Sequence, residues 1–129
     1  MGERVLVSSG SPMEPVIGFS RACRIGGHIA VAGTAPIPVT GGSASSEDLY
    51  GQTTRCLEII AKAIAAAGGS LQNVIRTRVY LTDLSDWQEA ARAHGEVFGD
   101  IRPASTFVQV SGLLDPSWLV EIEADAIVD

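Results

Sequence analysis

The chain has 129 residues, a length at which one domain can bury a sufficient apolar core without metals or disulfides. Hydrophobic residues make up 46% of it and aromatic residues only 5%, which predicts an aliphatic core. Its 15 acidic residues outnumber its 9 basic ones. Because nucleic-acid binders usually present a basic face, this balance disfavours a nucleic-acid partner. We expect a single domain over residues 1–129.

The N-terminal sequence and the cysteines argue against a secreted, a membrane-spanning and a disulfide-stabilised protein. There is no charged-then-apolar leader, and no apolar run approaches the roughly 18 residues of a membrane span, so we expect a cytoplasmic protein without membrane contacts. Cys23 lies in a predicted strand and Cys56 in a predicted helix. Neither has the spacing of a metal motif, and buried free thiols are expected.

The chain begins with strand-like segments. Residues 4–7 are an apolar run that ends at a cluster of serine, glycine and proline. Residues 19–25 and 28–32 predict two strands, and the dipeptide Gly26-Gly27 between them supplies the positive φ that a tight hairpin turn needs. A short strand followed by a β-hairpin is therefore expected.

A loop and a long helix come next. Prolines and glycines predict a surface loop over residues 34–46. Apolar residues at helical spacing predict a helix over residues 47–67, with Ser45 and Asp48 able to cap its start and two glycines at 68–69 marking its end.

The next segments predict a strand and a second helix. Residues 74–81 alternate and are rich in β-branched side chains, as is typical of a strand. Ser85 and Gln88 have the spacing of a capping box that would open a helix over residues 86–98. The strand face expected to be buried consists of Ile75, Thr77, Val79 and Leu81.

Two further strands, 105–110 and 118–128, complete the chain. Each helix lies between strands, as in a βαβ unit, while paired strands at both ends call for antiparallel pairing, so the sheet should be mixed. Two helices cover one face of such a sheet. We expect another copy of the chain to cover the other face.

Several segments together resemble the Rid/YjgF superfamily. The segments PASTFVQV at 103–110 and LVEIEA at 119–124, joined through Leu-Leu-Asp-Pro, are similar to its C-terminal signature. The segments GHIAVAGT at 27–34 and RVYLTDL at 78–84 resemble its hairpin and central strands. The resemblance implies an α+β, chorismate-mutase-like (ferredoxin-like) mixed β-sheet with two helices on one face. It also implies a homotrimer with small-molecule clefts at the subunit interfaces.

The resemblance further implies a chemistry. Members with the complete site hydrolyse enamines and imines to a keto acid and ammonia without metal or cofactor. An arginine after the Pro-Ala pair clamps the substrate carboxylate through a bidentate fork, and a glutamate of the last strand positions water. The glutamate falls on Glu121, the expected catalytic residue, whereas the arginine position falls on Ser105. The other implied cleft positions are Phe19, Ala32, Gly33, Ala91, Thr106 and Phe107.

The sequence leaves open whether another arginine replaces the missing clamp. Arg102 is disfavoured because its odd offset from Ser105 points the two side chains to opposite faces of a regular strand. Three other arginines could reach across from a neighbouring subunit, namely Arg21, Arg24 and Arg78.

We therefore expect hydrolysis of an enamine, imine or related reactive metabolite other than standard 2-imino acids. The pocket should be less positive and more apolar than in members with the arginine, and should favour neutral or weakly cationic ligands. Its walls should raise the pKa of Glu121. The alternative is a noncatalytic trimer that binds a metabolite or a partner protein. The endoribonuclease activity ascribed to some members is disfavoured by the acidic balance.

Two other groups of residues, one acidic and one of two histidines, are weaker indications of function. Glu121, Glu123 and Asp125 share one strand face and could suggest a divalent cation, but oxygen-rich metal sites usually draw ligands from loops, so no metal is expected. His28 and His94 lie too far apart in sequence to indicate a catalytic triad.

Overall fold

Six strands form one mixed sheet in the computed structural model, which describes residues 2–44 and 46–129. The sheet order is β1-β2-β3-β6-β4-β5, and only the neighbours β4 and β5 run parallel. The mixed sheet predicted from the sequence is confirmed. The elements in chain order are β1 (Arg4–Val7), α1 (Met13–Ile17), β2 (Ala22–Ile25), β3 (His28–Thr34), α2 (Leu49–Ala66), a 3₁₀ helix (Leu71–Asn73), β4 (Val74–Leu81), α3 (Trp87–Phe98), β5 (Ala104–Gln109) and β6 (Val120–Ile127).

The last strand lies in the middle of the sheet. β6 pairs antiparallel with both β3 and β4, so the expectation that the two final strands pair with each other is wrong. α3 carries the chain from β4 to its parallel neighbour β5, the crossover that a parallel pair requires. The alternation predicted for β6 is confirmed, because its buried residues are Val120, Ile122, Ala124 and Ala126.

The core lies between the sheet and the two longer helices. α2 packs on β3 and β6 and also on α3. The helix begins at the N-cap Asp48, whose carboxylate accepts a hydrogen bond from the Gly51 amide at 2.8 Å. The other predicted cap, Ser45, lies outside the described residues. The largest core side chains from the helices are Phe98, Leu57, Ile60 and Ile64.

The apolar period does not predict the short helix α1. Its five residues are too few to show a helical repeat. Pro12 stands before it, and Gly18 ends it in the left-handed region with a φ of 92°. Proline at the start and glycine after the end are known helix boundaries, so the sequence did contain a usable indication.

One residue of β4 faces the opposite way from its prediction. The register of β4 against β6 shifts between Val74 and Arg76. Ile75 therefore bulges outwards and is 52% exposed, while Val74 is buried in its place. A bulge reverses the inward and outward alternation that a regular strand keeps. The prediction holds for the remaining positions, since Thr77, Val79 and Leu81 are buried.

α3 begins without the predicted capping box. The Ser85 hydroxyl donates a hydrogen bond to the Asp83 carboxylate at 2.6 Å. The N-cap residue is Asp86, and it makes no side-chain capping bond. Ser85 thus belongs to a turn that precedes the helix, and it does not form a capping box with Gln88.

In the described part of the chain, no helix is both long enough and apolar enough to cross a membrane. The two cysteines are free and differ in burial. Cys56 is buried, and its burial raises the pKa of the thiol far above the usual range. Cys23 is only half-buried, so the expectation of two buried thiols holds for Cys56 alone.

Candidate active site

A cavity of about 890 Å³ lies beside α2, between α1 and the strands β3 and β6. The family resemblance implies eight residues for the ligand cleft. Four of them line this cavity, namely Phe19, Ala32, Gly33 and Glu121. Much of the remaining wall is apolar and includes Ile37, Ile59 and Trp118. A large, mostly apolar cavity with a few polar groups is the usual form of a small-molecule site.

A bulge in β3 brings the backbone against the Glu121 carboxylate. The register of β3 against β6 shifts between Val31 and Thr34, which leaves Ala32 and Gly33 in the irregular part of the strand. A Cβ atom added to Gly33 would meet Glu121 Oε2 closer than real Cβ contacts occur. Glycine at position 33 therefore leaves room for the carboxylate, and bulges commonly redirect side chains beside active sites.

The guanidinium of Arg21 lies on the same wall of the cavity. The residue is only 8% exposed. Its Nη1 donates hydrogen bonds to the Gly33 carbonyl at 2.6 Å and to Thr34 Oγ1 at 3.1 Å. Its Cζ lies 5.3 Å from the centre of the Phe19 ring, which is cation–π distance. These contacts fix the position of the guanidinium, and Gly33 touches both Arg21 and Glu121.

Arg21 makes this cavity cationic at one point. Burial lowers the pKa of Arg21, and the nearby carboxylates Glu14 and Glu121 act in the opposite direction. An arginine pKa is so high that the group remains charged at neutral pH. The expectation that the pocket is less positive than in members with the arginine stays a prediction, and Arg21, one of the three arginines left open by the sequence, lines this cavity. This cation comes from the same chain as Glu121.

Glu121 is a half-buried carboxylate, and no described residue donates a hydrogen bond to it. Burial raises its pKa, Arg21 opposes this change, and Glu123 adds to it, with a net shift upwards from the ordinary value. The direction agrees with the expectation from the sequence. A carboxyl group with a raised pKa can exchange protons closer to neutral pH than an ordinary glutamate.

The other two carboxylates of the β6 row have different surroundings. Glu123 accepts hydrogen bonds from the Tyr80 hydroxyl at 2.6 Å and from Arg78 Nη1 at 3.4 Å. Arg78 also contacts Asp125 at 3.3 Å. The row therefore divides into one cavity carboxylate and two carboxylates that pair on the sheet. Among the described residues, no three histidine, cysteine or acidic side chains are grouped to hold a metal ion.

The remaining implied cleft residues lie outside the cavity, on α3 and the edge strand β5, and are Ala91, Ser105, Thr106 and Phe107. The Thr77 hydroxyl donates a hydrogen bond to Ser105 Oγ at 2.8 Å and lies 2.8 Å from His94 Nε2. Burial lowers the pKa of His94. The sequence did not indicate this hydroxyl and imidazole cluster, because its three members come from β4, α3 and β5.

Arg102 and Ser105 do not share one regular strand, because β5 begins at Ala104. Arg102 has a φ of 61°, in the left-handed region that L residues rarely adopt. Counting alternate faces back from Ser105 therefore says nothing about where the Arg102 side chain points.

The segment before β2 also forms part of the site, which the sequence did not predict. Residues 7–13 line the cavity. The Glu14 carboxylate accepts hydrogen bonds from the Ser9 amide at 3.0 Å and the Ser9 hydroxyl at 2.7 Å. These bonds fold the serine-rich loop back onto α1, so a segment that resembles an ordinary connection forms a wall of the cavity.

Comparisons with known proteins agree with this architecture. The model of the endoribonuclease L-PSP family matches residues 9–128. A crystal structure from Mycobacterium tuberculosis, of a member of the YjgF/YER057c/UK114 family, is 46% identical with a TM-score of 0.88 and covers 98% of this chain and 100% of its own.

Two curated relatives extend the comparison. An uncharacterized protein of Streptomyces coelicolor is 40% identical over 93% of this chain and 89% of its own length. The 3-aminoacrylate deaminase RutC of Acinetobacter baylyi is 30% identical over 99% of this chain and 100% of its own. The chain therefore belongs to the endoribonuclease L-PSP family, within the Rid/YjgF superfamily that its sequence resembles.

Proposed function

We propose that this chain hydrolyses a small enamine, imine or related reactive metabolite other than standard 2-imino acids, in the cleft around Glu121. The observation that carries the proposal is the Glu121 carboxylate, which faces the cavity with no hydrogen bond from a described residue and with a pKa raised by burial. The relative named 3-aminoacrylate deaminase, which aligns over its whole length, supports deamination of an enamine.

The chemistry needs one base and no cofactor. Protonation of an enamine at carbon, or of an imine at nitrogen, gives an iminium ion. Glu121 accepts a proton from water as the oxygen attacks the iminium carbon, which gives a neutral carbinolamine. The Glu121 carboxyl then gives that proton to nitrogen, the C–N bond breaks and ammonia leaves. The hydroxyl proton passes to the Glu121 carboxylate, and a carbonyl compound is released. Positioned proton transfer of this kind contributes about 10²- to 10⁴-fold to rate.

We place this cleft between copies of the chain. The residues implied to share it form two groups in one chain, one at the cavity and one on β5 and α3. A second copy would bring the second group to the first. Exposed apolar side chains line the cavity, since Ile17 is 57% exposed, Val39 83% and Leu114 79%. Such clustered exposure is typical of a surface that another chain covers.

The assembly can be tested directly. We expect a particle of about three times the 13.5 kDa chain mass in sedimentation or light scattering. A stable monomer at micromolar concentration would contradict both the trimer and the cleft between subunits.

The activity is tested with enamines and imines generated in situ, by measuring carbonyl product and ammonia. Glu121→Gln should reduce the rate by about 100-fold or more. Glu123→Gln is the matched control, because it removes a carboxylate of the same strand that is paired with Tyr80 and Arg78. Equal losses in the two variants would contradict the role of Glu121.

A wild-type protein that releases no ammonia above the uncatalysed rate from any of these compounds would overturn the proposal in favour of a noncatalytic binding protein. Turnover of 2-iminopropionate should be weak, because Ser105 leaves no guanidinium fork at the position where members with the arginine hold the substrate carboxylate. Ser105→Arg should increase it if residue 105 enters the cleft from a second copy.

A further inference from the structure

We infer that Arg21 is the anion-binding residue of this cleft and that the ligand is a small carboxylate with an apolar body. The inference deepens the proposed function, on which it rests only for the chemistry that follows binding. It departs from the expectation of neutral or weakly cationic ligands, which rested on a cleft made less positive by Ser105 and did not count Arg21.

The hydrogen bonds of Arg21 leave one edge of its guanidinium available. Nη1 is used by the Gly33 carbonyl and Thr34 Oγ1, whereas neither Nε nor Nη2 bonds to a described residue. Among the described residues, every side-chain nitrogen and oxygen sealed from solvent has a hydrogen-bond partner. Nε and Nη2 are therefore accessible, and Arg21 lines the cavity. Two adjacent N–H groups in one plane match the two oxygens of a carboxylate.

The other charges on the cavity wall favour an anion at Arg21. Arg55 and Glu58 form an ion pair at 3.3 Å and largely offset one another. Lys62 also lines the cavity, which leaves two cations on its wall against Glu121. The Glu14 carboxylate acts on Arg21 but does not line the cavity, and it accepts hydrogen bonds from Ser9. No ion pair joins Arg21 and Glu121 within residues 2–44 and 46–129. A ligand can therefore place its carboxylate on Arg21 while another part of it faces Glu121.

The surroundings of Arg21 also define the rest of the ligand. Phe19 lies against the guanidinium, and Ile59 and Trp118 line the same cavity. These side chains favour a planar or aliphatic body over a second polar group. Arg21 belongs to the same chain as Glu121, whereas Ser105 would enter the cleft from a second copy. A carboxylate on Arg21 thus occupies a different place from one held at position 105.

The test compares isosteric acids and amides on the intact protein. Crotonate with crotonamide, and benzoate with benzamide, are titrated by calorimetry or by ligand-detected NMR at neutral pH. Charge-assisted hydrogen bonds are roughly twice as strong as neutral ones, so each acid should bind about tenfold or more tightly than its amide. Equal affinity, or preference for the amides, in the wild-type protein would overturn the inference.

Variants then locate the effect. Arg21→Gln should abolish the preference for the acid, and Arg21→Lys should retain the charge but lose the fork, with an intermediate preference. Arg76→Gln is the matched control, because Arg76 is an exposed arginine of β4 outside the cavity. If Arg21→Gln does not fold, the acid and amide affinities of Arg21→Lys and of the wild-type protein still test the inference. A preference for acids that survives in folded Arg21 variants would overturn the assignment.

The two proposals fail in different ways. Preferential binding of the acids without ammonia release from any enamine or imine would remove the proposed hydrolysis and leave Arg21 as an anion site. Turnover that is faster with amide substrates than with the matching acids would retain the hydrolysis and remove the role of Arg21.

Discussion

Replacing Gly33 with alanine should displace the Glu121 carboxylate while the fold remains intact. The added Cβ would lie closer to Oε2 than real Cβ contacts occur and 3.3 Å from Cδ, whereas ordinary contact begins at 3.4 Å. The obstructing atom is the end of a flexible side chain, so the carboxylate rather than the backbone should give way. A misplacement on the order of 1 Å can cost about 100-fold in rate.

The rate of ammonia release measures this effect, and thermal unfolding measures stability. We expect Gly33→Ala to lose about 100-fold in rate with little change in unfolding temperature. The matched control is Gly95→Ala in α3, where an added Cβ meets nothing within 4 Å. Alanine should stabilise that helix by roughly 0.5 to 1 kcal/mol without affecting the rate. Full activity in Gly33→Ala would refute the reasoning that Gly33 sets the position of Glu121.

Three further outcomes concern stability. Phe98→Ala should cost about 3 to 5 kcal/mol in denaturant unfolding, because the ring is 2% exposed and its removal leaves a cavity. Arg78→Ala should cost about 1 kcal/mol or less, since its bridges to Glu123 and Asp125 are 40% exposed on the arginine side, and high salt should reduce the difference. The native state holds the proton of Glu121 more tightly than the unfolded state, so wild-type stability should fall as pH rises from the ordinary glutamate pKa through the raised one. Glu121→Gln should lose this fall in unfolding measured across pH.

The sequence alone determines the longer local elements of this protein, although not the short helix α1. β4 occupies residues 74–81, as its alternation predicts, and the predicted alternation of β6 is the observed one. α2 lies within its predicted bounds because a repeat of apolar residues every three to four positions is a local property of the chain. Gly33 and Glu121 likewise lie in two segments, 27–34 and 119–124, whose resemblance to the Rid/YjgF superfamily can be recognised without coordinates.

Only the tertiary structure decides which of these elements meet. The final strand lies between β3 and β4, and a bulge in β3 brings Gly33 against Glu121. Arg21 precedes β2, far from Glu121 in sequence, and becomes its neighbour through Gly33. Strand order and register depend on contacts between distant residues that compete for one core, whereas periodicity reports only whether a segment has an apolar face. The cation of the cavity therefore becomes evident from the folded chain and not from its motif.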